Sequence, residues 1–170
     1  MKEKILLIEF NEFNLNLIQK GAEELGLKNI KKILKFKHSK TLSDDIFEGQ
    51  GLDPWVQWVS VHTGLSSKTH KVLRIGEIPK FKFSQLWERL GNNGISTAIW
   101  GLMNASRNKT TGCKFFMPDP WTFSEIAYPN LLNLYLFFPR YYSKNYIKPS
   151  KLILGKGLFK LLFFFLNPRI

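Results

Sequence analysis

Lys4–Phe10, KILLIEF, is the stretch on which the fold turns. It is a continuous apolar run with β-branched content, the pattern of a parallel strand covered on both faces. Turn and cap residues follow from Asn11 to Asn16. Leu15, Leu17, Ile18, Ala22 and Leu25 then take up a helical period, and Gly26 stands where a helix stops. A strand, a short polar turn and a helix open a βαβ unit. Further along, residues 29–42 suggest a short helix and then a strand. WVQWVSVHT at 55–63 suits a buried helix ending at Gly64, although its β-branched residues also suit a strand. Phe83–Leu90 predicts a short amphipathic helix capped by Ser84, and ISTAIWG at 95–101 predicts another buried strand. Together these predict an α/β fold: a partial, doubly wound, mostly parallel sheet with flanking helices. Residues 102–121 have no strong period, and FFMPDPW at 115–121 reads as a rigid aromatic loop. A helical pattern returns from Thr122 to Tyr146, with a break at Pro139.

The chain has 170 residues, enough for one domain, here expected over residues 1–146 with a separate apolar-basic tail at 147–170. Apolar residues make up 44% and charged residues 22%, which excludes a wholly disordered chain, a collagen and a coiled-coil rod. The single cysteine, Cys113, excludes a disulfide framework and a cysteine-based zinc finger. The apolar run near the N-terminus is too short for a signal-peptide core, so a cytoplasmic location is expected.

The net charge of +12 is unevenly spread. Residues 126–170 hold seven Lys/Arg and no acid, whereas all 13 Asp/Glu lie before them. A basic half implies an anionic partner, unless it only reflects a lysine-rich coding bias. Within the tail, LILGKGLFKLLFFFL at 152–166 is too short to span a bilayer as a helix. Lys156 and Lys160 are four apart and share a helical face. One reading is a basic helix lying on an anionic membrane surface, which would make the protein peripheral to the membrane; the other is a core helix or the frayed end of a truncated chain. Nucleic acid ranks last among partners, because no recognised binding motif or basic-aromatic repeat is present.

Ligands of open α/β sheets sit at strand ends. The first predicted strand ends at Glu9-Phe10-Asn11-Glu12, where Glu9, Asn11 and Glu12 offer oxygen ligands for a hard cation; the plain alternative is a capped helix start with solvated carboxylates. In the segment 53–70, Trp55, Trp58, Val59 and His62 share one helical face, expected against the sheet. Gln57 and Ser60 are then expected to turn toward a site. His62 and His70 are candidate acid/base groups, though a lone helical His is more often a satisfied core residue. No Ser-His-Asp spacing and no glycine-rich phosphate loop is present.

The segment 52–77, LDPWVQWVSVHTGLSSKTHKVLRIGE, resembles the signature region of a branch of the alkaline phosphatase superfamily, which includes type I phosphodiesterases, nucleotide pyrophosphatases and sulfatases. KILLIEFNEF, Thr63-Gly64 and His70 stand for the first strand with its metal ligand, the Thr-Gly pair and the nearby His. Met103-Asn104, the 115–121 stretch and Tyr128-Pro129 extend the similarity over most of residues 4–145. The resemblance implies a metal-dependent hydrolase or transferase of phosphate or sulfate esters, using a divalent metal (zinc, manganese or magnesium) held at Glu9, Asn11 and Glu12. The chain departs from it at two positions. Asn11 stands where a metal-binding Asp is usual, and Pro54 stands where the nucleophilic Thr or Ser is usual. That leaves Asp53, with Gln57, His62 and His70, as the catalytic candidates. Only Asp119 and Glu125 follow Glu88 as acids, too few for a two-metal centre, so a truncated or inactive form is expected.

Overall fold

The computed structural model describes residues 4–11, 13–39, 53–78, 82–108 and 110–166. Glu12 and residues 40–52 lie outside the described residues. The chain divides into two compact units, Met1–Pro54 and Trp55–Ile170.

In the first unit, α1 (Leu15–Glu24) and α2 (Lys28–Ile33) pack on each other. The Asn14 side chain caps α1 by accepting the Leu17 N–H at 3.0 Å. At the far end Gly26 takes φ +66°, and the Leu27 N–H closes onto the Ala22 carbonyl at 3.1 Å, the long bond of a Schellman stop. The expected strand at 4–10 is corrected: these residues have no regular structure, and Ile5 is 95% exposed. A doubly covered strand needs ladder partners and packing layers, and apolar β-branched content expresses a fit to such a surface rather than a backbone preference. The strand expected after α2 is likewise absent through residue 39.

The second unit is mixed α/β. Its helices are α3 (Pro54–Thr63), α4 (Ser67–His70), α5 (Leu86–Asn92), α6 (Asn133–Asn145) and α7 (Lys151–Leu166). Its strands are β1 (Thr97–Trp100) and β2 (Cys113–Met117). The strands pair in parallel, with Ala98 opposite Phe115 and Trp100 opposite Met117. β2 corrects the aromatic loop expected at 115–121, since strand residues occupy its first half. Its side chains alternate. Phe116 packs with Trp87 of α5, Ile99 and Ala105, while Phe115 and Met117 pack with Ala127 and Leu136 of α6. One helix therefore covers each face of the parallel pair. Among the described residues the sheet has two strands.

α5 starts at Leu86 and not under a Ser84 cap. Its N-cap is Gln85, whose N–H is accepted by Glu88 at 2.7 Å, while the Gln85 side-chain oxygen accepts the Ser106 N–H at 3.0 Å. Close backbone contact seats α5 on the chain entering β2, because a Cβ on Gly112 would meet the Gly91 Cα. α7 lies on α6, where the bare Gly157 backbone accepts the Phe137 ring.

Candidate functional site

Of the candidate site residues, Glu9, Asn11 and Asp53 belong to the first unit. Glu9 and Asp53 are half-buried and Asn11 is an exposed turn residue. Pro54 takes the first position of α3, where its missing N–H is no loss, and Asp53 precedes it. Pro54 carries no nucleophilic atom. Among the described residues no three His, Cys, Asp or Glu side chains cluster as metal ligands would.

Gln57, His62 and His70 belong to the second unit. The buried residues of α3 are Val56, Val59, His62 and Thr63, so the expected face is corrected by a small rotation: Trp55 and Trp58 are half-buried beside it. His62 is 2% exposed, stacked on Trp58 at 6.1 Å and edge-on to Trp87 at 5.1 Å. Gln57 is half-buried on the same helix.

His70 is also buried. Its Nδ1 accepts the Val72 N–H at 3.0 Å, and its Nε2 lies 3.0 Å from the Ser60 hydroxyl. An amide N–H donates only to a ring nitrogen without a proton, so the neutral imidazole holds its proton on Nε2. Nε2–H then donates to Ser60 Oγ. This is the reverse of the direction in which a general base takes a proton from a serine. The pair ties α3 to the end of α4.

The residues joining the ends of β1 and β2 form a larger polar network. Asn104 is fully buried at φ +51°. Its Oδ1 accepts the Gly76 N–H at 2.7 Å, and its Nδ2 donates to the Trp55 and Arg74 carbonyls at 3.0 and 3.1 Å. Asp119 is 1% exposed and accepts four donors: the N–H groups of Trp121, Thr122 and Asn104, and the Thr122 hydroxyl at 2.6 Å. Ser106 and Arg107 are held by Glu125, and Arg140 donates to the Thr122 and Glu125 carbonyls. Burial pushes the Arg140 guanidinium below its ordinary range. These groups stand where a ligand would sit in an open α/β sheet, yet the bonds described for them run to the chain itself. These bonds fix the loops that follow the two strands.

Within the second unit, α7 exposes a broad apolar surface. Leu152, Phe159, Phe163 and Leu166 are all more than half exposed, and Lys151, Lys156 and Lys160 share that outward side. The residues turned inward are Leu154, Gly157, Leu161 and Phe164. In the sequence Lys156 and Lys160 stand out as a pair four apart on one helical face, and Lys151 and Gly155 are a second pair at the same spacing. At about 100° per residue, Lys151 and Lys160 lie on opposite flanks of the exposed arc, with Gly155 between them. No helix among the described residues is long and apolar enough to cross a membrane. No family model, curated protein or solved structure matches the chain.

Proposed function

We propose that the protein binds anionic membrane surfaces through α7 and does no chemistry of its own. One observation carries this: the outward side of α7 combines exposed Leu152, Phe159, Leu162, Phe163 and Leu166 with three lysines, in a region without a carboxylate after Glu125. A helix of 16 residues is about 24 Å long, so it suits the interface plane better than a crossing of a ~30 Å hydrocarbon core. Its apolar arc would lie among the upper acyl chains while the lysines reach the headgroups. The resemblance to metal-dependent ester hydrolases enters the same reading as ancestry, and with it the doubly wound plan. Pro54 at the nucleophile position supports a shift from turnover to binding.

The test is flotation of the full chain with vesicles of phosphatidylcholine alone or with phosphatidylglycerol. Binding is expected only to the anionic vesicles and is expected to weaken as salt rises. At about 1 kcal/mol per lysine near the surface, the double substitution Lys156→Gln/Lys160→Gln should weaken binding roughly 25-fold. Equal binding to neutral vesicles, or no effect of the double substitution, refutes the proposal.

A further inference from the structure

We infer that α7 carries a headgroup site selective for a phosphomonoester lipid, an inference that rests on the membrane reading above. The site is an open depression of about 470 Å³ lined by Lys151, Leu152, Gly155, Lys156, Phe159 and Lys160. Its floor is Gly155, and nothing lies within 4 Å of where a Cβ on that residue would stand. The glycine thus leaves a step in the helix surface, bordered along the axis by Leu152 and Phe159. At about 100° per residue, Lys151 lies on one flank, and Lys156 and Lys160 lie on the other. Three lysine side chains and two apolar side chains line this hollow.

That combination fits a compact, doubly charged group attached to an acyl chain. A phosphomonoester carries about −1.5 to −2 at neutral pH, with a second pKa near 6, whereas a phosphodiester headgroup offers a single charge. Three lysines therefore gain more from the monoester than from a diester at the same vesicle charge. Neither α6 nor α7 carries an Asp or Glu. On α6, the helix packed against α7, the ionisable side chains are Tyr135, Arg140, Tyr141, Tyr142 and Lys144, none of them negative at neutral pH. Leu152 and Phe159 add contact for glycerol and acyl carbons, which a soluble phosphate lacks. The occupant is accordingly a lipid and not free phosphate.

The experiment uses the full chain with two vesicle sets matched in surface charge, one containing phosphatidic acid and the other phosphatidylglycerol. The phosphatidic acid set should bind about fivefold more tightly, the factor for one added charge contact. That preference should grow between pH 5 and pH 7.5, as the second phosphate proton leaves. Gly155→Leu fills the hollow with an apolar side chain. It should abolish the preference while leaving phosphatidylglycerol binding equal or stronger. Lys151→Gln should reduce the preference in a surface that keeps its glycine. Equal binding of the wild-type chain to both sets, or a preference that survives Gly155→Leu, overturns the headgroup site and leaves the membrane reading standing. Gly155-dependent binding of soluble glycerol phosphate, without a preference among vesicles, also overturns it. No binding to either vesicle set defeats the membrane reading itself.

Discussion

Replacing Asn104 tests whether the polar network between the strand ends is what holds the second unit together. Its side chain makes three hydrogen bonds in a fully buried setting, to Gly76, Trp55 and Arg74. Each contributes about 1 kcal/mol net, and leaving the Gly76 N–H and two carbonyls without this partner adds desolvation cost. The backbone at φ +51° favours Asn or Gly over other residues, so Ala adds about 1 kcal/mol of strain. Asn104→Ala should therefore cost roughly 3–5 kcal/mol, a large fraction of the ~5–15 kcal/mol that holds a domain folded. Asn104→Gly should cost somewhat less, because it loses the same bonds without the strain. Asn104→Asp should be the worst of the three: it keeps the oxygen that faces Gly76 but turns a second, charged oxygen toward two carbonyls. All five tryptophans, at 55, 58, 87, 100 and 121, lie in the second unit, so tryptophan fluorescence during urea unfolding reports that unit alone. A loss below about 1 kcal/mol for Ala, or an Asp variant as stable as the Ala one, would refute the reasoning.

Two further outcomes follow from backbone contact and from burial. Gly112→Ala should cost about 2–3 kcal/mol in urea unfolding and more than Gly91→Ala, because its Cβ would strike the Gly91 backbone, which cannot rotate away; equal costs contradict the close seating of α5. Burial pushes the Cys113 thiol above its ordinary value of 9.0. The unfolded chain then loses that proton first as pH rises, so this contribution to stability is complete below about pH 9 and declines above it. Comparing urea midpoints of wild type and Cys113→Ala at pH 7.5 and 10 should show the smaller alkaline loss in the variant, and identical losses would contradict a buried neutral thiol.

The elements visible in the sequence are those set by neighbours along the chain. Asn14 and Gly26 bracket α1 through bonds to residues three to five positions away, and Gly64 ends α3 in the same local way. Such signals hold whatever the rest of the molecule does. Where several nearby residues compete for one role, the reading slips: Ser84 has the better capping side chain, but Gln85 takes the N-cap because its side chain is bound to Ser106 across the fold. β2 was hidden among glycine, proline and aromatics, and it exists through its pairing with β1 and its two packed faces. The same dependence decides against the 4–10 run, whose apolar residues call for burial without naming a partner. The candidate surface divides similarly. Composition alone shows that the last 45 residues are basic, apolar and free of acid. Which side of α7 stays outward is decided by its packing on α6, where Phe137 meets the bare backbone of Gly157, because apolar residues on every side of a helix leave its packed face open until a neighbour takes one.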